Sequence, residues 1–96
     1  MPPYEWVSVI AFYAAVHFVN AYLWEQHRVA PRNHSERGHY VRHDPTLRRC
    51  ANAYGRLLDT GYKARYVRRY RIAASWAEQL VKVELADVES VVRAAI

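Results

Sequence analysis

Ninety-six residues, about half of them apolar and with a generous aromatic share, read as a single domain, residues 1–96, with a core of its own. Three glycines and four prolines are too few for a turn-rich sandwich or barrel, and the lone Cys50 excludes an internal disulfide and suits a reducing, cytoplasmic setting. The net charge of +5 is gathered in one place: residues 28–71 carry twelve basic side chains against three acidic ones, the rest of the chain two against six. Twelve of the fourteen basic groups are arginine, which forks onto phosphates and stacks on bases, so the segment points to an anionic partner, RNA first. A solvated basic surface is the plainer reading of the same charge.

In chain order, the first feature is an uncharged run of 19 residues from Trp6 to Trp24, near the length that crosses a bilayer. Ser8, Tyr13, His17, Asn20 and Tyr22 within it suit a core helix better than a lipid-facing one. No basic stretch precedes the run and no small-residue cleavage site follows it, so no secretory leader is expected. Residues 4 to about 28 are therefore expected as a long first helix. Trp6, Ile10, Tyr13, His17, Asn20 and Trp24 lie along one side, and Val7, Ala11, Ala14, Phe18 and Tyr22 along another. Apolar groups on more than one side predict a helix packed between neighbours.

Asn33 with Glu36 reads as a capping box opening a helix that runs to about Arg42. Asp44-Pro45 is a second start signal, a cap followed by proline at the first helical position. Beyond it Leu47, Cys50, Ala51, Tyr54, Leu57 and Leu58 form a buried stripe, with Arg48, Arg49, Asn52, Arg56 and Asp59 facing away, and Thr60-Gly61 closes the helix. Residues 62–72 fit a short helix, an extended strap, or one after the other. Ser75 and Glu78 form another capping box, and the last helix follows with Trp76, Leu80, Val83, Val88, Val91 and Val92 as its core side. The expected fold is all-α, a bundle of four helices, two long and two shorter.

Three groupings could carry chemistry. The first is the junction Arg32-Asn33-His34-Ser35-Glu36-Arg37-Gly38-His39, where a helix N-terminus offers free N–H groups beside arginine and histidine. His34 and Arg37 are three apart and share a face. Histidine moves protons near neutral pH and arginine holds the extra charge of a phosphorane, which suffices for RNA cleavage by the 2′-hydroxyl without metal. The bland alternative is a capped, charged surface turn. The second grouping is Lys63, Arg65, Arg68, Arg69 and Arg71 interleaved with Tyr62, Tyr66 and Tyr70, able to grip a backbone and stack unpaired bases, or else a strap whose tyrosines bury against the bundle. The third is the pair His39 and His43, four apart, with His34 near and His17 on the first helix; a zinc or nickel face needs such a pair, but no Cys-x-x-Cys or Glu-x-x-His accompanies it. No metal or cofactor is therefore expected. Cys50 falls on the buried stripe. A glycine-rich phosphate loop, paired carboxylates in a cleft and a nucleophile elbow are all missing, which sets aside dinucleotide binding, glycoside hydrolysis and acyl transfer.

Phe12-Tyr13-Ala14-Ala15-Val16-His17, then Asn33-His34 with Arg37, Tyr54 and Leu57, and Ala64-Arg65-Tyr66 before a final amphipathic helix, resemble short bacterial HEPN-domain proteins over most of the chain. The resemblance implies an antiparallel four-helix bundle that forms a homodimer. It implies either a metal-independent endoribonuclease of a toxin–antitoxin or phage-defence system, or a non-catalytic binder of RNA or nucleotides, or a protein-interaction module with an antitoxin or nucleotidyltransferase-like partner. The family's catalytic signature is an arginine, commonly followed by a polar residue, with a histidine a few positions on. Arg32-Asn33 with His39 fits it; Arg37 with His43 and Arg28 with His34 fit the spacing but not the polar residue. Active members carry the signature at the start of a late helix, whereas residues 64–96 here contain no histidine. On this reading Arg32, Asn33, His34, Arg37 and His39 are the catalytic candidates, and Arg65, Tyr66, Arg68, Arg69 and Tyr70 hold flanking RNA.

Overall fold

The apolar N-terminal run forms helix α1, Pro3–His27, in a computed structural model that describes residues 3–96. Arg28 leaves α1 in a left-handed turn (φ 54°), with its N–H bonded to Trp24 O and that of Val29 to Leu23 O. Helix α2 is His34–His43. Helix α3, residues 47–66, starts as a 3-10 turn, Leu47–Cys50, and continues through Ala51–Tyr66; helix α4, residues 74–95, comprises Ala74–Gln79, a π-helical stretch Leu80–Leu85, and Ala86–Ala95. There are thus four helices and no strand among the described residues, three of the helices long and only α2 short.

The contacts fix the direction of each helix. Glu5 accepts from Ile72 N–H and Gln26 donates to Ala95 O, so α1 and α4 run in the same sense. Trp76 donates to Thr60 and Arg56 pairs with Glu84, so α3 runs against α4, and therefore against α1. His34 lies beside Phe12 while Asp44 reaches Tyr22 and His27, so α2 follows α1. Strict up-and-down alternation is not what this chain builds; residues 28–33 carry it back along α1 before α2 begins.

The core is one cluster, with Phe12, Ala15, Val19 and Leu23 of α1 against Leu47, Cys50, Tyr54 and Leu57 of α3 and Leu80, Val88 and Val92 of α4. Leu47, Cys50, Tyr54 and Leu57 of the α3 stripe are buried as its periodicity predicts, while Ala51 and Leu58 are half-buried. Half of the apolar window of α1 is buried in this core, although the helix is long and apolar enough to cross a membrane. The packing is one-sided: Trp6, Ile10, Tyr13 and Trp24 stay exposed, so α1 is not enclosed between neighbours within this chain.

Two of the expected helix signals act as caps and two do not. Asn33 caps α2, accepting from Glu36 N–H at 2.8 Å, but Glu36 turns to Arg32 and does not close the box. Asp44 caps α3 through Thr46 and Leu47 N–H groups. Thr60-Gly61 does not end α3, and Ser75 is not a cap: α4 begins at Ala74 with no side-chain cap. Val83, expected in the core, is exposed and Glu84 is buried in its place, where Arg56 pairs with it at 2.8 Å and Gln79 donates to it. The π-helical turn holds more residues per turn than an α-helix, which rotates the inward face one position along the chain.

Candidate functional site

Gly61 creates the site. A Cβ there would sit 3.0 Å from the Phe12 Cβ, so only glycine lets α3 approach α1 this closely. Glycine in a helix interior costs roughly 1 kcal/mol relative to alanine, and here it is matched by this close approach. Outside it lies a cleft of about 260 Å³ lined by Phe12, Leu58, Gly61, Tyr62, Arg65 and Tyr66, with His34 of α2 closing the third wall. Its surface is mainly apolar, and no carboxylate lines it.

Behind His34 stands Arg37, only 7% exposed. Its Nε donates to Asn20 Oδ1 at 2.8 Å and its Nη1 to His34 Nδ1 at 2.9 Å. The Tyr54 hydroxyl is buried facing the guanidinium without a hydrogen bond of full geometry, and burial raises its pKa. No carboxylate pairs with Arg37 among the described residues. A buried cation held only by neutral groups is costly, and its field favours an anion nearby.

The same bonds fix the state of His34. Arginine only donates, so Nδ1 must be the acceptor and the ring proton sits on Nε2, on the edge turned away from Arg37. His34 packs on Phe12 with ring centroids 5.3 Å apart. Partial desolvation, then the positive charges of Arg37 and Arg65, hold its pKa below the usual histidine value. At neutral pH it is therefore an uncharged N–H donor beside two cations.

Arg65 is the exposed counterpart. It donates to the Tyr13 hydroxyl and lies over two rings, 5.3 Å from Tyr13 and 4.8 Å from Tyr66. Tyr62 and Tyr66, one turn apart on α3, pack at a 48° tilt with centroids 5.0 Å apart and stay more than half exposed. The ambiguous 62–72 stretch resolves as helix through Tyr66, a turn over 67–69 with Arg69 left-handed (φ 63°), then chain without regular structure.

Of the sequence candidates, His34, Arg37, Arg65 and Tyr66 come together. Arg32 is exposed and paired with Glu36 at 3.3 Å, and Asn33 is spent as a cap. His39 stacks on His43 (4.4 Å) and faces Tyr40, in a separate depression with His27 and Asp44. The Arg32–His39 pairing is therefore not assembled within this chain. Arg68, Arg69 and Tyr70 lie on and after the turn, outside the cleft wall. No group of three His, Cys, Asp or Glu side chains is placed to hold a metal among the described residues. Asn20, Tyr54, Leu58 and Gly61 were not read as site residues; the mid-helix glycine facing an aromatic was the available signal.

No family model, curated protein or solved structure matches the chain.

Proposed function

We propose that this is an RNA-directed binding protein with a HEPN-like sequence pattern, whose cleft seats one unpaired nucleotide. The base stacks on Tyr62 and Tyr66 over the Phe12 floor, and the phosphate lies between Arg65 and the Nε2–H of His34. Arg37 is a positioning residue: it holds His34 in the donor tautomer and adds positive field from behind. The observation that carries the reading is this buried arginine without a counter-charge, set behind a histidine that faces an aromatic cleft. The acid-free lining and the basic 28–71 segment support it.

A metal-independent ribonuclease is the second reading, favoured by the lowered pKa that leaves His34 unprotonated at neutral pH. For that chemistry Nδ1 has to leave Arg37 before it can take the 2′-hydroxyl proton. The test is binding and cleavage of single-stranded RNA in EDTA by wild type, His34→Ala, Arg37→Ala and His39→Ala. Binding that weakens steeply with salt, drops in the His34 and Arg37 variants and survives in His39→Ala supports the binder. Cleavage that persists in EDTA and disappears in His34→Ala would establish the nuclease. RNA left unbound by the wild type at low salt overturns both readings, and tight, salt-resistant capture of an acidic protein then favours an interaction module.

A further inference from the structure

Arg65 and Tyr66 are shared by two depressions. On one side is the His34 cleft; on the other is a hollow of about 460 Å³ lined by Trp6, Val9, Tyr13, Arg65 and Tyr66. We infer that this second hollow is a base subsite, so that the protein grips single-stranded RNA as two adjacent nucleotides with their bridging phosphodiester on Arg65. The inference rests on the RNA-directed reading and gives it a site size.

The lining of the hollow suits a base. Trp6 is 51% exposed and Tyr66 61%, rings left in water by a fold that buries Phe12 and Tyr54 almost completely. Exposed flat rings on either side of an arginine are what successive bases stack upon. The dividing cation is fixed in place, because the Tyr13 hydroxyl accepts from it and two rings flank it. It pairs with no carboxylate among the described residues, and neither depression is lined by one. The nearest acid on α1, Glu5, is buried and accepts from Ile72 N–H.

Charge also chooses the occupant. A second copy packed with the same face inward would set Arg65 and its basic neighbours on α3 against their own copies, cation against cation. A polyanion with bases meets the arginine and the rings together.

The test uses the whole chain in EDTA at low salt, with uridine monophosphate and 2′-O-methyl di- and tri-uridylates as probes. Wild type should gain about five- to a hundred-fold in affinity from one nucleotide to two. The third should add little. Trp6→Ala should erase that gain and leave mononucleotide affinity unchanged, and Trp6→Phe should restore most of it. A dinucleotide with one abasic position should bind wild type like the mononucleotide. An equal gain for every added nucleotide, or an undiminished gain in Trp6→Ala, overturns the second subsite while the first stands. Trp6→Ala that converts a dimer to a monomer at unchanged dinucleotide affinity also overturns it, since a second copy then covers this face. A mononucleotide that fails to shift the His34 imidazole resonances refutes the underlying reading itself.

Discussion

Helix α2 presses polar side chains against α1 at both of its ends, and the two ends differ in kind. At its C-terminal end Asp44 accepts from the Tyr22 hydroxyl at 2.8 Å, from the backbone of Thr46 and Leu47, and pairs with His27 at 2.9 Å. Burial by itself would raise the Asp44 pKa, but the bonds from Leu47, Tyr22, His27 and Thr46 outweigh it and hold the carboxyl below its ordinary value. At the N-terminal end Arg37 has two neutral acceptors, an unsatisfied tyrosine hydroxyl beside it and no counter-charge among the described residues. The saturated knot at Asp44 ties α1, α2 and α3 together. The one at Arg37 leaves donors unused with no carboxylate beside them among the described residues, which is what the proposed binding role draws on.

The contrast can be broken most forcefully at Asp44. Asp44→Ala removes the α3 cap and strands the Tyr22 hydroxyl, and should destabilise the protein by about 2–4 kcal/mol in urea unfolding with little direct effect on nucleotide binding. Arg37→Met should do the reverse. Stability should stay within about 1 kcal/mol of wild type, because the desolvation of a buried cation is relieved, while RNA affinity falls roughly ten- to a hundred-fold. If Arg37→Met instead unfolds the protein while Asp44→Ala is silent, the two ends have been assigned the wrong way round.

Gly61→Ala sharpens the comparison from the cleft side. The new methyl group meets Phe12 at the root of its side chain, and overpacking there should cost about 1–2 kcal/mol net of the gain in helix propensity. Nucleotide affinity should fall with it as the floor moves, both readable from one thermal melt series with and without ligand. The smallest effect is in pH. The folded-state pKa of His34 lies below its unfolded value, so the unfolded chain takes up the proton first. Stability should therefore fall as pH drops below about 6.5, until the folded-state pKa is passed, and His34→Gln should flatten that part of the curve. Asp44 acts at lower pH: its contribution is complete above the ordinary carboxylate range and is lost as pH falls through its depressed pKa.

What the sequence disclosed follows from which forces are local. The α3 stripe, the Asn33 cap and the Asp44-Pro45 start depend on neighbours a few residues away, and each was legible. His34 and Arg37 share a face by spacing alone, so half of the site could be named in advance. Its other half comes from tertiary approach. Asn20 meets Arg37 across 17 positions and Gly61 meets Phe12 across 49, and neither encounter leaves a local mark. Gly61 was misread because glycine ends helices far more often than it seats one helix against another. The direction of α2 was hidden for a similar reason, since Pro31 marks where α1 ends but not that the chain doubles back.

The wide turn in α4 has a consequence for inheritance. Leu80–Leu85 carries about one residue more than an α-helix of the same rise would need, and Glu84 faces inward because of it. A one-codon deletion there would let the helix close to ordinary geometry while Val88, Val91 and Val92 keep their places in the core. This is therefore the point in α4 where the chain can change length without a change of fold, and two descendants of one ancestor could differ here by a gap in mid-helix.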